Sequence, residues 1–302
     1  MVDLVILGTG SMVPTKERNV QAFYLEFNGE GMLFDCGEGT QRQMNLAGIS
    51  RAKVRRIFLT HWHGDHVAGL IGLIQTIGNS NYEGTLSIYG PKGTKERMFH
   101  LMNATVFENK VEIAVHELAP KDGEELFFLD NEKHKVGCVK VDHTTPTIGY
   151  AWHEKERTRV DMATCAKLGL KEGPLVGRLS RGEPVEHDGK RILPEDVTFR
   201  VAGKKIAFIP DTQLCEGLPL LAHYADVLVC ESTYYSRELD KADGYKHLTA
   251  AQAAQVASQA DAKRLILTHF SQRYASVEPL LEEARTVFPN TDAAFDLMKI
   301  TL

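Results

Sequence analysis

Short apolar runs along this chain alternate with polar or glycine-bearing breaks, and the runs predict its strands and helices. Val2 to Leu7 reads as a first strand. The loop Gly8-Thr9-Gly10-Ser11 follows, and then a polar loop, Pro14 to Asn19. Gln21 to Phe27 and Gly31 to Phe34 read as a hairpin joined by the turn signal Asn28-Gly29. Asp35-Cys36-Gly37-Glu38-Gly39-Thr40 then turns the chain into a helix, Gln41 to Leu46. Val54 to Leu59 is a buried strand and Val67 to Ile74 a buried helix. Leu86 to Tyr89 is a strand, and Pro91 opens a helix that runs to Met102. Val111 to His116, Glu125 to Leu129 and Lys135 to Val141 form a β-rich stretch.

Tyr150 to Arg200 breaks this rhythm. It carries Gly169, Gly173, Gly177, Gly182 and Gly189, with Pro174, Pro184 and Pro194. Its one helical pattern is Met162 to Leu168, and little of it suits a core. The expectation is an inserted, protruding arm over approximately residues 151–200, within a single domain spanning 1–302. The core pattern resumes with Lys204 to Ile209 and Val227 to Cys230. Thr249 is expected to cap an alanine-rich helix, Ala250 to Ala260. Arg264 to Leu267 is a strand, Glu278 to Phe288 a helix, and Ala293 to Leu297 a last strand. Two β-rich halves, each with helices, predict an α/β fold, a four-layer αββα sandwich.

The chemistry gathers where strands end. After Leu59 comes Thr60-His61-Trp62-His63-Gly64-Asp65-His66, a His-x-His-x-Asp-His pattern on a strand-to-helix turn. Residues two apart in extended backbone point the same way, so His61 and His63 can converge on one metal ion. Asp65 and His66 fall at the helix start and can turn toward a second. A lone histidine is ordinarily a surface or core residue, but this many polar groups beside apolar walls need a shared partner. His143, Asp211 and His269 each follow a strand as well, and α/β sites form at strand ends. His61, His63, Asp65, His66, His143, Asp211 and His269 exceed the roughly four ligands that one zinc takes. They suit two ions sharing a carboxylate, an arrangement apt for phosphodiester hydrolysis. Asp35 also ends a strand, either as a site wall or as a helix cap.

Composition narrows the setting. The 302 residues are 43% hydrophobic and 25% charged, an ordinary globular balance. No run of about twenty apolar residues appears, so no membrane span is expected. The start of the chain reads as a strand and lacks the basic residues and cleavage site of a signal peptide. Cys36, Cys138, Cys165, Cys215 and Cys230 are scattered without C-x-x-C pairs, which fits reduced thiols and a cytoplasmic location. The formal net charge of -5 argues against a non-specific nucleic-acid binder. It leaves room for a nuclease with local contacts, whose metal ions supply positive charge. From His153 to Arg191, nine Lys or Arg stand against seven Asp or Glu, a local balance of about +2.

The His61 motif resembles the metal signature of the metallo-β-lactamase superfamily, and the wider pattern is similar to the ribonuclease Z family. Asp35 to Thr40 looks like the superfamily's first motif. More specific to ribonuclease Z are three features. Pro14 to Asn19 resembles its Pro-x-Lys-x-Arg-Asn loop, Cys230-Glu231-Ser232-Thr233 its His-Glu-Ala-Thr-like segment, and His247-Leu248-Thr249 its His-Ser-Thr motif. Leu267 to Tyr274 is similar to the family's tail. Cys230 stands where the family has His, Leu248 where it has Ser, and Pro210 where Gly is expected.

The resemblance implies a metallo-β-lactamase fold and a zinc-dependent endoribonuclease. Its partner would be precursor tRNA, from which it removes the 3′ trailer, leaving a 3′-hydroxyl on the tRNA and a 5′-phosphate on the trailer. It implies a homodimer and two Zn2+ per chain, although Mn2+ also fits such ligands. His61, His63, His143 and Asp211 would hold one ion, and Asp65, His66, Asp211 and His269 the other. Asp65 would also steer the bridging hydroxide. His247 would donate a proton to the leaving 3′ oxygen, oriented by Glu231. Lys16, Arg18, Asn19, Arg178, Arg181, Thr249 and Arg273 would bind substrate. The arm would clamp tRNA, with Lys155, Arg157, Arg159 and Lys171 as further basic candidates. The alternative is another hydrolase of the superfamily, acting on small phosphodiesters, sulfate esters or lactones; the arm and the Pro14 to Asn19 loop speak against it. A non-catalytic RNA-binding member would be expected to have lost ligands. An iron-containing redox member would carry His-x-Glu-x-Asp, whereas position 63 is His.

Overall fold

The structure, a computed structural model, describes residues 1–80 and 82–302, which divide into two compact units. The first unit comprises Met1–Asp130, Val136–Trp152 and Lys205–Leu302. Strand alternation sets its architecture. In Val2–Gly8, Val2, Leu4 and Ile6 face one way and Val5 and Leu7 the other, as a period of two requires. Among the described residues this unit holds two seven-stranded sheets. The first runs Lys299–Thr301, Val2–Gly8, Ala22–Phe27, Glu30–Phe34, Val54–Phe58, Thr85–Pro91, Glu112–Leu118. Its last four strands are mutually parallel. The second runs Thr291–Ala293, Leu265–Thr268, Val227–Glu231, Lys205–Ile209, Thr147–Glu154, His134–Val141, Leu126–Asp130, and its first four strands are parallel.

The sheets pack face to face over an aromatic layer. Phe34 of one stacks on Phe208 of the other with ring centroids 4.0 Å apart, and Phe27 meets Trp152 edge-on at 5.0 Å. Tyr150 is fully buried, and its hydroxyl donates to the Leu59 carbonyl at 2.8 Å, just before the metal motif. On the outer faces, Leu70, Leu73, Ile74 and Ile77 of helix Leu70–Gly78 cover the first sheet. Ala253, Ala254 and Ala257 of helix Ala250–Gln259, with Leu280 of Glu278–Val287, cover the second. Each buried Leu or Ile contributes roughly 1.5–3 kcal/mol. Helix, sheet, sheet, helix is the four-layer αββα sandwich. No described helix is long and apolar enough to cross a membrane.

Several elements differ from the sequence reading. Pro91 does not open a helix; it closes strand Thr85–Pro91, and the helix is Thr94–Met102. Gly93, at φ +93°, makes the turn between them, and the Glu117 carboxylate accepts from the Gly93 and Lys95 N–H groups. The helix read from Val67 is two helices, Gly64–Val67 and Leu70–Gly78. The break lies at Gly69, whose N–H donates to Cys36 O and where a Cβ would collide with the Gly37 carbonyl. Ala293 to Leu297 is not a strand. Asp296 turns inward to accept from Thr9, Asn19 and Gln43, Leu297 takes φ +68°, and the final strand is Lys299–Thr301. Strand Thr147–Glu154 lies where the sequence pattern places the start of the arm; Ile148, Tyr150 and Trp152 face the aromatic layer.

The second unit comprises Asn131–Lys135 and His153–Lys204. Contrary to the expectation of little core, Cys165, Leu170, Val176, Leu179, Val185, Ile192 and Val197 form a buried cluster. Arg157–Val160 pairs antiparallel with Thr198–Val201, and Val185–His187 with Lys190–Ile192. The second hairpin turns through Asp188 and Gly189, both at positive φ, which suits Asp-Gly. Asp161 caps helix Met162–Lys167, and Pro174 opens helix Pro174–Ser180.

Candidate metal centre

The site assembles in the first unit because its strands stop in step. Phe34, Phe58, Ile209, Glu231 and Thr268 end their strands, and the next residues supply the chemistry. Asp35 and His269 do so with left-handed backbone, φ +58° and +59°. Such strain in non-glycine residues costs on the order of 1 kcal/mol or more and is held here by surrounding bonds. Asp35 N–H donates to Phe58 O at 2.9 Å, and Phe270 N–H donates to Thr9 O at 2.8 Å. Gly37 has no room for a side chain, since a Cβ would collide with the Asp65 carbonyl oxygen. The resulting cleft, of about 760 Å3, is lined by His63, Asp65, His143, Asp211, His247 and Arg273 among others.

Two sets of ligand atoms meet at Asp211. Asp211 Oδ2 lies 3.8 Å from His61 Nε2 and 4.0 Å from His143 Nε2, while His63 Nδ1 lies 3.0 Å from His61 Nε2. Asp211 Oδ1 lies 3.5 Å from His66 Nε2 and 3.2 Å from His269 Nε2. Asp65 Oδ2 lies 3.6 and 3.5 Å from those same two nitrogens. In each set the ligand atoms lie within 4.8 Å of one another. His66 Nε2, His269 Nε2 and Asp211 Oδ1 are buried without any hydrogen-bond partner. Buried polar atoms are ordinarily satisfied, so a cluster of orphans aimed at one point fits a divalent cation.

A surrounding shell fixes the imidazoles by their far nitrogens. His66 Nδ1 meets Asp35 Oδ2 at 2.7 Å, and the same carboxylate accepts from Thr60 N–H and Oγ1 at 2.8 and 2.9 Å. Thr60 Oγ1 is 3.0 Å from His61 Nδ1. His143 Nδ1 donates to the Lys246 carbonyl at 2.9 Å. Glu231, fully buried, meets His247 Nδ1 at 2.9 Å and accepts from Thr212 N–H at 2.9 Å. Thr233 Oγ1 donates to Glu231 Oε2 at 2.6 Å and touches His269 Nδ1 at 2.9 Å. Fixing ligands by their second nitrogen is the usual support of a metal site.

Electrostatics follow from this packing. Burial alone would raise the Asp211 carboxyl, but His269 and His66 outweigh it and hold it well below the usual range. Burial likewise opposes ionisation of Asp65, and His66 and His269 overcome it. His61 is pushed well down, by burial first and then by its neighbouring imidazoles. His66 goes the other way: burial is outweighed by Asp211, Asp35 and Asp65, which favour the cation. So many buried carboxylates around one point require compensating positive charge. At His247, burial is overcome by the Glu231 carboxylate, which raises it to about 9.

The sequence-expected ligands His61, His63, Asp65, His66, His143, Asp211 and His269 are brought together, with His247 and Glu231 beside them. The expected substrate residues are not all placed alike. Lys16 is exposed. Arg18 donates to Tyr274 O at 2.7 Å, and the Asn19 side chain donates to Glu38 O and Val20 O, so both brace the loop itself. Arg273 lines the cleft, lies over the Tyr234 ring at 4.9 Å and pairs with Glu238 at 2.8 Å. Thr249 is buried, and its hydroxyl and N–H are both engaged with Gln252 in a capping box. Arg178 and Arg181 lie in the second unit, paired with Glu183. Sequence reasoning missed Thr60 and Thr233 and left Asp35 undecided. Asp35 caps no helix; Gly39 holds that position. The position of each threonine beside a strand-end acid or histidine was the available signal.

A family profile described as the metallo-beta-lactamase superfamily matches residues 15–199, and one described as a beta-lactamase superfamily domain matches 178–270. The chain is 44% identical over 301 residues to ribonuclease Z of Methanothermobacter thermautotrophicus, covering 99% of this chain and 96% of that protein. It is 38% identical over 304 residues to ribonuclease Z of Nocardia farcinica, covering 99% and 97%. The crystal structure of human tRNase Z, short form, superposes with a TM-score of 0.74 at 29% identity, covering 99% of this chain and 98% of that one. The fold, the clustered strand-end ligands and these similarities agree: the chain belongs to the metallo-beta-lactamase superfamily and, within it, to the ribonuclease Z family.

Proposed function

We propose that this chain is a metal-dependent endoribonuclease that removes the 3′ trailer from precursor tRNA. The observation that carries the reading is Asp211, whose two oxygens face two separate ligand sets, with orphaned nitrogens of His66 and His269 around it. His61, His63, His143 and Asp211 would hold one zinc, and Asp65, His66, Asp211 and His269 the other. When bound, such a pair polarises a phosphodiester and lowers the pKa of water. Asp65 is ionised and lies in the cleft, where it orients the attacking water. As the water oxygen bonds to phosphorus and releases a proton to solvent, the bond from phosphorus to the tRNA 3′ oxygen breaks. His247, charged at neutral pH and held through Nδ1 by Glu231, donates its Nε2 proton to that oxygen. The products are a tRNA 3′-hydroxyl and a trailer 5′-phosphate. The second unit is the tRNA-binding arm in this reading. A homodimer and a cytoplasmic setting complete the reading, and the unpaired cysteines fit the second. Incubating purified chain with an end-labelled precursor tRNA tests the activity: one cut at the 3′ side of the tRNA body, abolished by chelator and restored by zinc, is expected. Hydrolysis of small phosphodiesters with intact precursor would overturn it.

A further inference from the structure

Two buried carboxylates serve the centre by one device. Asp35 meets one imidazole directly, His66, and reaches a second, His61, through the hydroxyl of Thr60. Glu231 meets His247 directly and reaches His269 through the hydroxyl of Thr233. The proton count decides the direction. An ionised carboxylate only accepts, and a threonine hydroxyl has one proton. At 2.6 Å, Thr233 Oγ1 gives that proton to Glu231 Oε2. Towards His269 the same oxygen can then only accept, so His269 Nδ1 carries the hydrogen between them, and Nε2 is the nitrogen turned to the cluster. That Nε2 is buried and without partner, 3.2 Å from Asp211 Oδ1.

We infer that Thr233 is a positioning residue that fixes the tautomer of His269 and ties it to the carboxylate that orients His247. One acid, Glu231, thereby sets both the proton donor and a metal ligand. The Glu231 oxygens have no spare capacity in this arrangement: Oε1 serves Thr212 N–H and His247, and Oε2 serves Thr233 N–H and Oγ1. Replacing Thr233 by valine keeps the shape, removes the donor, and leaves His269 free to take its hydrogen at Nε2, facing the cluster. Serine keeps the hydroxyl.

The inference rests on the reading that the cluster holds metal ions, but its first readout does not need them. Nitrogen-15 correlation spectra of metal-free protein report whether Nδ1 of His269 carries hydrogen. The Nδ1–H form is expected in the wild type and in Thr233→Ser, and loss of that preference in Thr233→Val. A wild-type His269 with no hydrogen at Nδ1 overturns the inference even if the valine variant fails to fold. The second readout is zinc retention against a competing chelator. Thr233→Val should bind one equivalent about 10- to 100-fold more weakly, with Thr233→Ser near the wild type. Equal retention in all three also overturns it. A wild type that takes up no metal, with the tautomer as expected, removes the metal reading instead.

Discussion

Charged side chains are handled differently in the two units. Around the centre, Asp35, Asp211 and Glu231 are buried, and each is fixed by fully or nearly buried partners. In the second unit, Arg157, Arg178, Arg181 and Arg200 are exposed and pair with glutamates at 2.9–3.5 Å. Arg159, Lys171, Lys190 and Arg191 make no ion pair among the described residues. Buried charge is costly unless paired, so it persists where a site requires it. Exposed pairs are worth roughly 0–1 kcal/mol and exchange readily. The centre in the first unit thus holds its charges in place, whereas the second unit leaves these arginines and lysines open to solvent.

The comparison breaks first at Asp211. Asp211→Ala is expected to strip both ions and lower cleavage by at least about 10⁴-fold, each ion being worth several kcal/mol; metal analysis beside a cleavage assay measures this. Next in size, His247→Ala is expected to cost about 10²–10⁴ in rate with metal content unchanged. Glu231→Gln sharpens that result through its pH profile. His247 must be protonated to donate, so the rate falls as pH rises through its pKa, raised to about 9 by Glu231. Removing the carboxylate charge lowers that pKa, and the alkaline limb should move to lower pH. An unmoved limb would disconnect Glu231 from His247.

In the second unit the expected effect lies in binding. Glu154 N–H donates to Lys204 O at 2.7 Å, so a short glycine linker can join these ends in place of the intervening residues. The shortened protein should still hydrolyse bis-p-nitrophenyl phosphate. Its cleavage of precursor tRNA should fall through weaker binding, with the salt slope flattened by about one unit per lost phosphate contact. Unchanged tRNA cleavage and slope would return the unit to a structural role. The smallest effect belongs to Thr249→Ala, which should cost about 1 kcal/mol of stability on loss of the cap and leave the substrate KM as it was. Thermal unfolding beside steady-state kinetics separates the two.

The same contrast explains what was legible in the sequence. Candidate ligands such as His61, Asp211 and His269 could be read because a strand pattern announces its own end, and the polar residues sit there. Strand Thr147–Glu154 was hidden, because buried residues on both of its faces erase the alternation that marks a strand. The core of the second unit escaped because Cys165, Leu179 and Val197 meet only through tertiary packing. Thr60 and Thr233 were invisible as relays, since a threonine in a strand end is commonplace until its hydroxyl is seen between a carboxylate and an imidazole. Thr249 shows the reverse: its place before an alanine-rich run announces a helix cap, and the geometry holds that cap.

The most direct measurement is the metal stoichiometry of an active preparation, taken on the same sample that is assayed on labelled precursor tRNA. About two ions per chain, together with a single cut leaving a 3′-hydroxyl on the tRNA, is the expected result. A stable preparation that cuts precursor tRNA at full rate with one ion per chain would contradict the shared role of Asp211.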